Sequence, residues 1–301
     1  MDLPPSLDLA AAALSSPGST PEAEPPYILH RPRHRTLPLV FASPHSGRRY
    51  PASFIAAARL DPLALRRSED AFVEELFATA PERGAPLLAA TFPRVFCDVN
   101  REPWELDPAM FDGPLPHWVN SSSARVGAGL GTIARVAGGG EAVYRDKLRF
   151  ADAEDRIRCL WQPYHAALAA LIAETRAQFG YCLLIDCHSM PATSGQGGIS
   201  PDFVLGDAHG TACAPRVTRA VEESLANMGY RVRRNDPYAG GYVTRHYGLP
   251  RNAVHALQIE IARPLYMNEQ RVERLPGMDL LKRDLSRLIS SLGDMDWSFL
   301  R

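Results

Sequence analysis

Three apolar runs in this sequence end in, or enclose, side chains that can do chemistry. LLIDCHSMP (183–191) carries three apolar residues straight into Asp186 and His188. LPLVFAS (37–43) gives way to Pro44, His45 and Ser46. HALQIEI (255–261) holds Glu260 between two isoleucines. Zinc prefers imidazole nitrogen and carboxylate oxygen, and its catalytic sites use three protein ligands and leave one position open. His45 and His188 are therefore the first candidate ligands. The competing reading of each is a hydrogen-bonded core or loop histidine. Two of them, both at run ends beside glycine or proline, give the metal reading its weight. Asp186 lies two residues before His188, on the same side of a strand, where it can orient the imidazole from behind.

A third ligand should be a carboxylate. Asp70 is preferred and Glu69 is the alternative, although either acid could instead be solvated or favour a helix dipole. Glu260 is costly to bury without a partner. With Gln258 on the same face, it reads as a general base acting on a metal-bound water, against a structural ion pair. Asn100 and Arg101 follow RVFCDV, and a planar guanidinium beside an amide suits a carboxylate; a surface ion pair is the alternative. The loop NDPYAGGYVTRHYG (235–248) adds Tyr238, Gly241, Thr244 and Arg245 as candidate substrate contacts, against an ordinary glycine turn. Among the other histidines, His165 reads as structural, and His209 could border the site.

These residues need elements to hold them. Strand-like runs (37–43, 94–100, 181–187, 202–207, 255–261) alternate with helical patterns (61–80 with a possible break at Ser68, 152–179 interrupted at Pro163, 213–229, and a stripe through Leu281, Leu285, Leu288 and Leu292). Alternation of this kind predicts a three-layer α/β/α domain with a mixed, mostly parallel central sheet. Ligands in such folds gather beyond the carboxyl ends of the strands. Residues 1–26, rich in Pro, Ala and Ser, read as a disordered leader, and 27–301 as a single domain.

The composition excludes several classes. With 33 basic against 34 acidic residues, a nucleic-acid binder relying on phosphate neutralisation is not expected. No apolar run approaches the ~20 residues of a membrane span. Five cysteines without a C-x-x-C pair fit neither a disulfide framework nor a zinc knuckle and point to a reducing, cytoplasmic setting. The oligomeric state is not legible.

Six stretches in order, SPHSGRRYP, RRSEDAFVEELF, FCDVNREPWELDP, DCHSMP, NDPYAGGYVTRHYG and ALQIEIARPLYMNE, resemble the N-formylglutamate amidohydrolase family over about residues 40–270. That family is similar to zinc carboxypeptidases and aspartoacylases. The resemblance implies a phosphorylase/hydrolase-like fold and hydrolysis of a small anionic N-acyl amino acid, N-formyl-L-glutamate, to formate and glutamate in histidine degradation. It implies one Zn2+ per chain on His45 and His188, a carboxylate anchor at Asn100 and Arg101, and Glu260 as base. A dianionic substrate calls for a second cation, for which Arg125, Arg135 and Arg245 are candidates. Zinc carboxypeptidases carry a ligand glutamate three residues after the first histidine, whereas Arg48 stands there in this chain, so Asp70 is an inference and not a carry-over. The alternatives are a zinc deacylase for another N-acyl amino acid or small peptide, and a non-catalytic binding protein on the same fold.

Overall fold

The computed structural model describes residues 25–192 and 200–300. Of the leader expected over 1–26, only the last two residues are among them. The described residues group into two compact units, each discontinuous in sequence. One comprises 29–46, 70–89 and 171–300, and the other 25–28, 47–69 and 90–170. Both are drawn largely from the stretch read above as one domain.

Seven strands form one sheet: β1 (Tyr27–His30), β2 (Leu39–Ser43), β3 (Leu87–Ala90), β4 (Cys182–Met190), β5 (Phe203–Gly206), β6 (Val232–Arg234) and β7 (Val254–Ala262). Their order is β1-β3-β2-β4-β7-β5-β6. β2 is parallel to β3 and β4, and β4 to β7, while β5 runs antiparallel to β7 and parallel to β6. β2 and β4 are buried at every position, as expected of parallel strands covered on both faces. A separate ribbon pairs β8 (Met267–Asn268) with β9 (Glu273–Arg274).

The helices are α1 (Ala52–Ala57), α2 (Pro62–Arg66), α3 (Val73–Leu76), α4 (Ala124–Gly127), α5 (Phe150–Arg156), α6 (Gln162–Phe179), α7 (Pro215–Asn227), α8 (Tyr242–Tyr247) and α9 (Gly277–Asp294). One face of the sheet presents Phe41, Ile185, Cys187, Leu257, Ile259 and Ile261 to a core shared with α3, α7 and α9. Val217, Val221 and Leu225 come from α7, and Leu281, Leu285, Leu288 and Leu292 from α9. Each such side chain contributes about 1.5–3 kcal/mol on burial. The alternate positions of β4 and β7 bring Asp186, His188, Gln258 and Glu260 to the opposite face, where α8 packs. The result is the expected α/β/α layering around a mixed, mostly parallel sheet.

Three local expectations need revision or refinement. The pattern over 61–80 is broken: Asp61 caps α2 through its side chain, but the chain leaves helix at Ser68 and resumes only at α3. RVFCDVN is not a strand. The N–H groups of Phe96 and Cys97 turn back to the carbonyl of Pro93, and Asp98 accepts the N–H of Asn100, so the run is a turn with buried apolar side chains. Around Pro163 the helix does not break. A wide π-type turn, Ile157–Trp161, joins α5 to α6, placing the proline where its missing N–H is tolerated.

Candidate functional site

Three segments of the sheet-containing unit supply the site. β2 ends at Ser43, Pro44 turns the chain, and a Ser43–Ser46 hydroxyl hydrogen bond of 2.8 Å closes the turn around His45. The carbonyl of His45 accepts the N–H of Asp70 at 3.0 Å. That bond explains why the helical pattern fails at this point, because the amide of Asp70 is committed to the β2 turn. The parallel ladder then pairs Asp186 with Gln258 and His188 with Glu260, which brings a carboxylate and an imidazole of β4 and two β7 side chains to one face.

Nδ1 of His188 lies 3.0 Å from Oδ2 of Asp70, and Nδ1 of His45 lies 3.4 Å from the same oxygen. One ligand atom from each of the three residues falls within 4.8 Å of the others, and all three residues are buried. Ligands about 2.0–2.1 Å from a tetrahedral ion sit roughly 3.4 Å apart, so two imidazole nitrogens and a carboxylate oxygen at these spacings fit a divalent ion of zinc type. On its far side His188 Nε2 lies 3.0 Å from Asp186 Oδ1.

The electrostatics ask for positive charge. Burial alone pushes the His188 imidazole toward neutrality, but the negative charges of Asp186, Asp70 and Glu260 outweigh it and raise its pKa well above the ordinary histidine value. A divalent cation would answer the same demand, at the cost of that proton.

Arg263 was not anticipated. Its Nη2 lies 3.2 Å from Asp70 Oδ1, its Nε donates to Ser189 Oγ at 3.2 Å, and its Nη1 approaches Glu269 Oε2 at 3.7 Å. The guanidinium thus holds the carboxylate oxygen that does not face the histidines. The available signal was a basic residue three positions after Glu260, directly before a proline at the strand's end.

The other candidates divide between the units. Gly241 and Thr244 lie beside the β4 and β7 side chains of the site. Gly241 N–H donates to Gln258, and the Thr244 hydroxyl reaches Asp186 Oδ2 at a long 3.5 Å. Tyr238 is half-buried and Arg245 exposed. Asp207 and His209 follow β5, which runs opposite to β7, so they do not reach the carboxyl ends of β2, β4 and β7. Asp207 accepts from Thr218, Gly210 and Asn235 instead.

Asn100, Arg101, Arg135 and Glu69 lie in the second unit. Arg101 is buried there, donating to the carbonyls of Leu130 and Asn100 at 2.8 Å each. Burial lowers its pKa to about 10. The carbonyl of Arg101 accepts from Trp161 Nε1 at 3.0 Å, and that of Val99 from His165 Nε2 at 2.8 Å, which assigns His165 the structural role expected of it. Arg135 pairs with Asp107 at 2.6 Å. Glu69 is held by the Tyr50 hydroxyl and by Arg66, and burial raises its pKa in spite of both. Arg125 sits half-buried on α4. All five cysteines are free thiols, and no helix of the described residues is long and apolar enough to cross a membrane.

Comparison with known proteins gives one consistent result. The sequence profile of N-formylglutamate amidohydrolases matches residues 37–267. An N-formylglutamate deformylase from Pseudomonas aeruginosa is 35% identical over 78% of this chain and 84% of its own length. One from Pseudomonas putida is 31% identical over 77% and 83%. The crystal structure of an N-formylglutamate amidohydrolase from Ralstonia eutropha superposes with a TM-score of 0.84 at 39% identity, covering 89% of this chain and 97% of that one. A gene product from Agrobacterium tumefaciens, at 18% identity and a TM-score of 0.61, shares the fold.

Proposed function

The chain belongs to the N-formylglutamate amidohydrolase family, and we propose that it is a metal-dependent hydrolase that cleaves N-formyl-L-glutamate to formate and L-glutamate. The observation that carries this reading is the buried His45, Asp70 and His188 cluster with Glu260 set beside His188 by the β4–β7 register. The substrate is taken from the deformylases the chain resembles. In this reading the enzyme acts late in histidine degradation, in the cytoplasm.

His45, Asp70 and His188 would hold one Zn2+, which when bound would lower the pKa of a water to about 7 and polarise the formyl oxygen. Glu260 takes the proton of the attacking water and delivers it to the glutamate nitrogen as the C–N bond breaks. Asp186 fixes the ring of His188, and Arg263 fixes Asp70. The carboxylate-anchoring role of Asn100 and Arg101 rests on the family resemblance.

A panel of N-acyl amino acids, scored by amine release from metal-free protein with and without added zinc, tests the reading. Zinc-dependent turnover fastest on N-formyl-L-glutamate is expected. Faster turnover of another acyl amino acid would move the assignment to the wider deacylase class. Turnover of none would leave a binding protein.

A further inference from the structure

The geometry points to Gln258 as the positioning residue for Glu260, locked in one orientation by the backbone of the glycine loop. This inference rests on the reading of Glu260 as the proton acceptor. Gln258 is buried in β7, two residues before Glu260 and on the same face. Its Oε1 accepts the N–H of Gly241 at 2.9 Å. A carboxamide has one accepting and one donating end, so this bond decides which end faces Glu260. The Nε2 group donates to Glu260 Oε1 at 2.8 Å. A neutral donor therefore fixes the plane of the carboxylate without adding a charge beside it.

Bare backbone makes that lock possible. Gly206 stands opposite Gln258 in the β5–β7 ladder. A Cβ at Gly206 would lie 2.7 Å from Gly240 N and 2.8 Å from Ala239 C, which are main-chain atoms that cannot swing aside. Gly240 itself adopts φ +113°, and a Cβ on it would meet Thr244 Cγ2 at 2.8 Å. Only glycine satisfies such a position without strain. The two glycines let residues 238–241 lie close against β5 and aim the Gly241 N–H at Gln258. The helix that follows directly, α8, carries Thr244, whose hydroxyl reaches Asp186 Oδ2 at 3.5 Å. The loop and the helix it starts therefore brace both the base and the partner of His188, and the close approach explains why Gly240 stands just before α8.

A merely structural glutamine would serve only to satisfy the Gly241 amide, and its loss would then appear as reduced stability. A positioning glutamine acts on turnover. The test is steady-state kinetics of the zinc-loaded enzyme on N-formyl-L-glutamate, with zinc per chain and thermal melting measured in parallel. Gln258→Met keeps the shape and removes both hydrogen bonds, and Gln258→Asn is a second variant should the first fold poorly. We expect kcat to fall about 10–100-fold, the cost of a small misplacement of a reacting group, with KM within twofold of the parent and zinc content unchanged. Gln258→Glu keeps an acceptor for Gly241 but loses the donor, and should lose at least as much. In a Glu260→Gln background, Gln258→Met should lower kcat no further, because residues acting as a unit are not additive. A Gln258→Met enzyme with kcat within twofold of the parent would overturn the inference, as would a full additive loss in the double variant. If Glu260→Gln alone retains parental kcat, it is the reading of Glu260 that fails. If Glu260→Gln is crippled and Gln258→Met is not, only the role of Gln258 falls.

Discussion

The β4–β7 pair and the turn from Asp98 to Arg101 hold polar side chains by opposite means. On the strands the backbone ladder sets the positions: Asp186 beside Gln258, His188 beside Glu260. Side chains project from a frame that exists without them. In the turn the frame itself is built by side chains. Asp98 accepts Asn100 N–H, His165 holds the carbonyl of Val99, Trp161 holds that of Arg101, and the guanidinium of Arg101 ties down its own loop. Exchanging a strand side chain should remove chemistry and leave geometry. Exchanging a turn side chain that has no chemistry should still move the arginine.

The largest effect should come from the ligands. Asp70→Ala and His188→Ala are expected to abolish stoichiometric zinc and turnover while the protein still melts cooperatively, because the sheet does not depend on either side chain. Elemental analysis after reconstitution reads this directly, and parental zinc in either variant would show the ion is held elsewhere. Next is Glu260→Gln, nearly isosteric, which should lower kcat by ~10²–10⁴-fold, the range of a lost general base, with zinc retained. Loss of the metal in that variant would make Glu260 a ligand. Arg263→Gln comes third. Releasing Asp70 Oδ1 should weaken zinc by ~10–100-fold, as for other groups that orient a ligand, measured by competition with a chelator. Arg263→Lys should recover only part, since an ammonium lacks the planar fork that spans Asp70 and Ser189. The smallest effect is expected on the turn. Trp161→Phe leaves a buried carbonyl without its donor and should cost about 1–3 kcal/mol in urea unfolding. In activity it should raise KM and spare kcat. A loss of kcat matching that of Glu260→Gln would erase the contrast between the two regions.

The same contrast decides what the sequence could disclose. β2, β4 and β7 were legible because strands covered on both faces are long apolar runs, and His188 and Glu260 stood out as expensive interruptions of them. RVFCDVN misled for the same reason. Val95, Cys97 and Val99 are fully apolar and buried, yet they serve a turn whose hydrogen bonds go to Pro93, and periodicity does not report where amides point. Asp70 was reachable because a helical pattern carried two acids at its weak point. Arg263 was not, since its meaning lies in a contact with Asp70, 193 residues away in sequence. The reversal of β5 was hidden as well. It takes Asp207 and His209 away from the site, and no local pattern records strand direction.

The π-type turn at Ile157–Trp161 has a consequence for bearing. Ala153, Ile157, Trp161 and His165 recur at every fourth residue, and each is essentially inaccessible to solvent. In a regular α-helix four residues overshoot a full turn by about 40°, so three such steps would rotate the last side chain about 120° from the first. The widened turn absorbs that overshoot like a leap day in a calendar. It lets Trp161 and His165 stay aligned with Ile157 and meet two alternate carbonyls of one short turn. A single-residue deletion within 157–161 would leave Ala153 and His165 eleven residues apart, only about 20° from three whole turns of ordinary α-helix, so both donors should stay on their acceptors, whereas forcing the present length into ordinary winding would swing them away.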